Sequence, residues 1–126
     1  MEKEIVSTEK APPAVGPYSQ AVIAGDLIFT AGQLGIDPQS GELAPGIEAQ
    51  TRQALTNLSA ILEATESSLD QAVKATLFLA HIEDFAAMNA VYAEFFPIQP
   101  PARSTVVVGQ FPRGVLVEIE VIALKR

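Results

Sequence analysis

The hydrophobic pattern changes period several times along the chain, and each change marks an element. Ala21-Val22-Ile23-Ala24 and Leu27-Ile28-Phe29-Thr30-Ala31 are short β-prone runs on either side of Gly25-Asp26. Two such runs around a glycine-aspartate pair predict a tight hairpin. From Ile47 to Glu66 the period lengthens. Ala54, Leu58, Ile61, Leu62 and Thr65 fall at helical spacing, with Gln50, Arg52, Gln53 and Asn57 placed elsewhere. That pattern predicts an amphipathic helix of about five turns. Ala72 to Ala80 reads as a strand. Asp84 to Phe96 returns to helical spacing, with Phe85, Met88, Tyr92, Phe95 and Phe96 on one face, and Pro97 stops it. Ser104 to Gly109 and Leu116 to Leu124 are two further strands, joined by a turn at Pro112-Arg113-Gly114.

The order hairpin, helix, strand, helix, strand, strand predicts an α/β layer fold. Its expected form is a mixed sheet with two helices on one face, in a single domain over residues 1–126. Thr76-Leu77-Phe78-Leu79 and Thr105-Val106-Val107-Val108 are apolar on both sides, as strands buried on both faces are. Two helices cover only one face, so the second face is expected to lie against other subunits. Composition agrees: 48% of the 126 residues are hydrophobic and only 18% are charged.

Charge and rare residues narrow the chemistry. Eight Lys and Arg against fifteen Asp and Glu leave a net charge of −7, which argues against a phosphate-binding surface. The absence of cysteine removes disulfides and thiolate catalysis, and a single histidine removes multi-histidine metal sites. His81 has no relay partner at useful spacing and reads as structural. The start, Met1-Glu2-Lys3-Glu4-Ile5-Val6-Ser7, lacks the form of a signal peptide. No apolar run approaches the roughly 20 residues that span a bilayer. A soluble, cytoplasmic protein is expected.

Two places stand out as candidate chemistry. Pro100-Pro101-Ala102-Arg103 puts an arginine where a proline-stiffened loop enters a strand. Its planar fork suits a carboxylate, and an ordinary surface ion pair is the other reading. In Val117-Glu118-Ile119-Glu120-Val121, strand alternation sends both glutamates to the face opposite the three apolar residues. That is the face assigned to the subunit interface, where a carboxylate needs a partner, a water or a role. Gly32, after a strand, permits close backbone approach or simply ends the strand. Tyr18 offers a hydroxyl or packs. Asn89, one position off the apolar stripe of its helix, reads as a solvated or capping amide. No P-loop, dinucleotide fingerprint, metal triad or Ser-His-acid set is present.

Several blocks together resemble the RidA/YjgF family. Pro101-Ala102-Arg103-Ser104, followed by a strand, a turn and Val117-Glu118-Ile119-Glu120, resembles its C-terminal signature. Gly16-Pro17-Tyr18-Ser19-Gln20-Ala21 resembles its N-terminal motif. Thr30-Ala31-Gly32-Gln33-Leu34-Gly35 and Asp84-Phe85-Ala86-Ala87-Met88-Asn89-Ala90-Val91-Tyr92 match its middle blocks, so the resemblance runs over essentially the whole chain.

The resemblance implies a chorismate-mutase-like fold, assembled as a homotrimer around a central barrel with clefts between subunits. It implies hydrolysis of reactive enamines and imines, chiefly the 2-aminoacrylate and 2-aminocrotonate tautomers released by pyridoxal-phosphate dehydratases. The products are 2-keto acids and ammonia, and neither metal nor organic cofactor takes part. It assigns Arg103 to the substrate carboxylate and Glu118 to the attacking water. Tyr18, Phe85 and Asn89 line the cleft, and Gly32 and Thr105 touch the ligand through their backbones. Many relatives carry cysteine where Thr105 stands. Two other functions compete with this one. One is endoribonuclease action or translation inhibition, attributed to members of the family. The other is a non-catalytic ligand-binding or chaperone-like trimer.

Overall fold

The computed structural model describes residues 2–126. The strands are β1 (Lys3–Val6), β2 (Ala21–Ala24), β3 (Leu27–Thr30), β4 (Gln33–Leu34), β5 (Ala72–Leu79), β6 (Ala102–Val107) and β7 (Val117–Leu124). The helices are α1 (Gly46–Glu63) and α2 (Phe85–Phe95). All the strands join one seven-stranded sheet in the order β1-β2-β3-β7-β5-β6, with β4 paired to β7 beside β3. β5 and β6 are parallel and joined through α2, whereas the other pairs are antiparallel. The α/β fold with two helices on a mixed sheet is thus the observed one.

The hairpin turns where expected, with Gly25 in the left-handed region at φ 62°. α1 is shorter than its pattern, because Glu66 at φ 65° turns the chain and Ser67 N–H bonds back to the Leu62 carbonyl. β1 and β4 carry no legible strand signal. β1 is a four-residue edge strand exposed at three positions, and β4 has only two residues.

The core lies between the helices and one face of the sheet. Val117, Ile119, Val121 and Ala123 of β7, and Ala75, Leu77 and Leu79 of β5, meet Leu55, Leu58, Ile61 and Leu62 of α1 and Met88 of α2. All are essentially buried, and each large side chain contributes roughly 1.5–3 kcal/mol by leaving water.

One expectation about α1 is corrected. Gln50 and Asn57, placed off the apolar face by the sequence pattern, are 2% and 0% exposed. Asn57 Nδ2 donates to the Leu34 and Ile36 carbonyls at 3.2 and 2.9 Å. Gln50 Nε2 donates to the Gly114 carbonyl at 3.0 Å, and its Oε1 accepts from Leu116 N–H at 2.8 Å. These amides close loop backbone groups that would otherwise be buried unpaired. Gly35 belongs to the same contact, since a Cβ there would lie 2.5 Å from the Gln50 Cα.

The opposite face of the sheet has no helix over it among the described residues. Register places Ile5, Val22, Phe29 and Ile122 in one row across β1, β2, β3 and β7. Glu118, Phe78 and Val106 form another row across β7, β5 and β6. Ile5 is 59% exposed, Phe29 40% and Val106 46%. β6 departs from the expectation of burial on both faces. It is an edge strand, and Val106 and Val107 are each about half exposed although they point to opposite sides.

Candidate functional site

The predicted site residues fall into two groups on opposite faces of the sheet. Arg103 is level with Ala75, which is level with Val121, so Arg103 points to the helix-covered face. Glu118 is level with Phe78 and Val106, on the uncovered face. A sheet separates the two side chains, so a single pocket containing both does not form within one chain.

The first group is built on α2 and β6. Pro100 and Pro101 lead into β6, and Arg103 leans from this strand against α2. Its guanidinium carbon lies 4.8 Å from the Tyr92 ring centre and 5.5 Å from that of Phe85. Its Nη1 donates to Asn89 Oδ1 at 2.7 Å. Asn89 is therefore neither a solvated nor a capping amide. It lies one turn from Phe85 and one from Tyr92, and the three form a stripe along the guanidinium. The ion-pair reading of Arg103 also fails within the chain. The ion pair among the described residues is Arg52 with Glu94, exposed at the surface. Arg103 is half-buried, flanked by aromatic rings, and has no counter-charge within ion-pair distance among the described residues. A shallow groove of about 260 Å³ lined by Tyr92, Ala93, Phe96, Pro100 and Pro101 adjoins it.

Thr105 follows on the same face of β6. Its Oγ1 and the Tyr92 hydroxyl are buried without a hydrogen-bond partner among the described residues. Buried polar atoms are ordinarily satisfied, so both mark places for a water or a ligand atom. Burial pushes the Tyr92 hydroxyl above the usual tyrosine range, and Arg103 opposes that shift only in part. The phenol stays neutral.

The second group is built on the break between β3 and β4. The chain bulges at Ala31-Gly32, and the Thr30 side chain fills the interrupted ladder. Its Oγ1 donates to the Val121 carbonyl at 3.3 Å and accepts from Val121 N–H at 3.0 Å. The Glu118 side chain lies over Gly32. A Cβ on Gly32 would run into Glu118 Oε2 and approach its Cδ to 2.7 Å. Of the two earlier readings of Gly32, close approach is the one observed, and the approaching group is the chain's own carboxylate. Burial, and secondarily the neighbouring Glu120, pushes the Glu118 carboxyl above the usual range.

Tyr18 and Gly32 both line a groove of about 370 Å³, together with Pro12, Pro13, Val15, Leu34 and Ile36. Tyr18 is 53% exposed, and its hydroxyl accepts from Val15 N–H at 3.3 Å. The segment carrying it is held by Gln20, 3% exposed, a residue that sequence reasoning did not single out. Gln20 Oε1 accepts from Thr8 N–H at 2.7 Å, and its Nε2 donates to the carbonyls of Thr8, Ala11 and Pro12 at 3.1, 3.3 and 2.7 Å. Its place beside Tyr18 in the motif was the available signal.

This fold, one mixed sheet with two helices on one face, with Arg103 and Glu118 on opposite faces of that sheet, fits one protein class, the small α/β domains of this topology. The chain belongs to the Endoribonuclease L-PSP family, the family of YjgF/RidA proteins, whose pattern it matches over residues 8–125. It is 52% identical to a RutC family protein of Pyrococcus horikoshii, over 98% of each chain. It is 48% identical to the 2-iminobutanoate/2-iminopropanoate deaminase of Capra hircus, covering 98% of this chain and 90% of the relative. Among solved structures, E. coli TdcF with bound serine superposes with a TM-score of 0.93 at 39% identity, over 98% of this chain and 99% of that one.

Proposed function

We propose that the chain, one domain over residues 1–126, is a 2-iminobutanoate/2-iminopropanoate deaminase that acts as a cytoplasmic homotrimer. The uncovered sheet faces would pack around a central barrel. Each site would then combine Arg103, Phe85, Asn89 and Thr105 of one subunit with Tyr18, Gly32 and Glu118 of the next. The observation that carries this reading is the unpaired Arg103 on one face with a desolvated Glu118 on the other. Each is half of a site for a small carboxylate substrate that must add water. The deaminase relatives and the amino-acid-bound structure support the same chemistry.

In this reading, 2-aminoacrylate or 2-aminocrotonate enters as its imine tautomer. Arg103 pairs with the carboxylate and fixes C2, replacing a random encounter by a positioned one. Glu118 accepts a proton from water while the water oxygen bonds to C2 and the C=N electron pair moves to nitrogen. Glu118 returns that proton to nitrogen, giving a carbinolamine. It then takes the proton of the new hydroxyl as the C=O bond forms and passes it to nitrogen as the C–N bond breaks, so the 2-keto acid and ammonia leave. Water is the only co-reactant needed for the balance. Positioned proton transfer is worth roughly 10²–10⁴-fold, enough for a substrate that also hydrolyses unaided.

The test couples a pyridoxal-phosphate threonine dehydratase to keto-acid detection. Adding the protein should speed keto-acid release, and the Arg103→Ala variant should not. Equal rates with and without the protein overturn the proposal. The family's ribonuclease description is checked with single-stranded RNA across a salt titration. A chain of net charge −7 is expected to give no salt-sensitive binding.

A further inference from the structure

The resemblance draws Phe85 and Asn89 of α2 into the site but leaves Tyr92 out, and from the sequence Tyr92 reads as one more apolar stripe residue. Yet the Tyr92 ring centre is the nearer of the two to the Arg103 guanidinium, 4.8 Å against 5.5 Å for Phe85. The ring cannot swing away. It is 5% exposed and rests on Phe96, with centroids 4.6 Å apart and planes tilted by 37°. Its hydroxyl has no partner among the described residues.

A guanidinium held this way differs from one held by an acid. An Asp or Glu would fix Arg103 but would also neutralise it and occupy its donors. An aromatic face attracts the cation through its quadrupole and takes up no N–H group. Asn89 accepts from Nη1 in the guanidinium plane, the one hydrogen bond of that side chain among the described residues. The ring sets the plane, the amide sets the rotation within it, and the remaining donors stay free for a carboxylate.

We propose that Tyr92 is a positioning residue for substrate carboxylate binding, an aromatic platform that orients Arg103 while leaving it charged and unpaired. This rests on the deaminase reading for its kinetic consequence only, since carboxylate binding is measured separately.

The experiment uses the full chain with Tyr92→Leu and Tyr92→Phe. Calorimetry with 2-oxobutanoate reports carboxylate binding, and the dehydratase-coupled assay reports turnover. Tyr92→Leu should weaken 2-oxobutanoate binding and raise KM by about tenfold, the scale of a desolvated cation–π contact, with kcat little changed. Tyr92→Phe, which keeps the ring, should restore both. Wild-type affinity in Tyr92→Leu overturns the proposal, as does a Tyr92→Phe variant as weak as Tyr92→Leu. A wild type that binds no 2-oxobutanoate overturns it too. A wild type that binds 2-oxobutanoate but leaves imines untouched overturns the deaminase reading alone, and the binding series still decides the role of Tyr92. Should Tyr92→Leu fail to fold, NMR of the arginine side chains in the wild type decides. Arg103 signals, assigned by their loss in Arg103→Lys, should be shifted upfield by the rings. Unshifted signals overturn the platform.

Discussion

The two faces of the sheet are built to different ends. On the covered face, β5 and β7 alternate buried Ala, Leu, Ile and Val toward α1 and α2, and the polar side chains there have defined backbone partners. Arg103, Thr105 and the Tyr92 hydroxyl depart from that rule at the edge, around β6. On the uncovered face an apolar row of Ile5, Val22, Phe29 and Ile122 is followed along β7 by Glu120 and then by Glu118, whose carboxyl burial pushes above the usual range. The covered face is finished by its own chain. The other is finished only when something packs against it, and the proposed reading makes that something a second copy. In that reading, Arg103 at the margin of one face would meet Glu118 on the other across a subunit boundary.

The sharpest way to break this comparison is to damage each half-site separately. Arg103→Ala and Glu118→Gln should each lower turnover by about 10²-fold or more, measured as keto-acid release. Refolded together, the two variants should recover about a quarter of wild-type activity, because random assortment then pairs an intact Arg103 with an intact Glu118 at that share of boundaries. No recovery would place both residues in one subunit's site or remove one from the chemistry.

Stability separates the faces next. Leu58→Ala on the covered face should cost about 2–5 kcal/mol in denaturant unfolding, because it leaves a cavity in a closed core. Val106→Asp on the uncovered face should leave the secondary structure in place and instead shift the sedimentation coefficient toward a single chain. A variant that unfolds rather than dissociates would mean that face is closed within the chain.

A smaller effect is expected at the bulge. Gly32→Ala must displace the Glu118 carboxyl, so kcat should fall about tenfold or more while thermal unfolding moves little. Unchanged kcat would remove the Gly32–Glu118 contact from the mechanism.

The mildest test is pH. Glu118 acts as a base only when ionised, and its carboxyl is held above the ordinary range. The rate should therefore rise with pH through an inflection above the usual glutamate value, and Glu118→Gln should lose that inflection. The stability sign is opposite. A raised carboxyl pKa means the fold binds a proton that the unfolded chain releases, so this contribution falls as pH rises through the window between the two values. Glu118→Gln should flatten that slope in urea unfolding.

Local periodicity was enough for much of the fold. The Gly25-Asp26 hairpin, α1, α2 and the alternation of β7 were legible because each follows from neighbours a few residues apart. That alternation also placed Glu118 on the face away from the core. β1 and β4 were not legible, because a short edge strand and a two-residue strand are defined by the strands they pair with. Gln50 and Asn57 were misread for a related reason. A polar residue on a helix looks solvated until the loop carbonyl it satisfies is known. Arg103, Glu118, Gly32, Tyr18, Phe85, Asn89 and Thr105 were all named in advance, but their division between two faces was not.

By itself, then, the sequence determined the elements, the apolar surplus, the negative charge and the residue types available for chemistry. These depend on composition and short-range spacing. The tertiary structure alone decided that Arg103 stacks on Tyr92, that Glu118 lies over Gly32 where a Cβ would not fit, and that Arg103 and Glu118 lie on opposite faces of the sheet. Each is a contact between segments distant along the chain, set by strand register and helix packing, which no local pattern encodes.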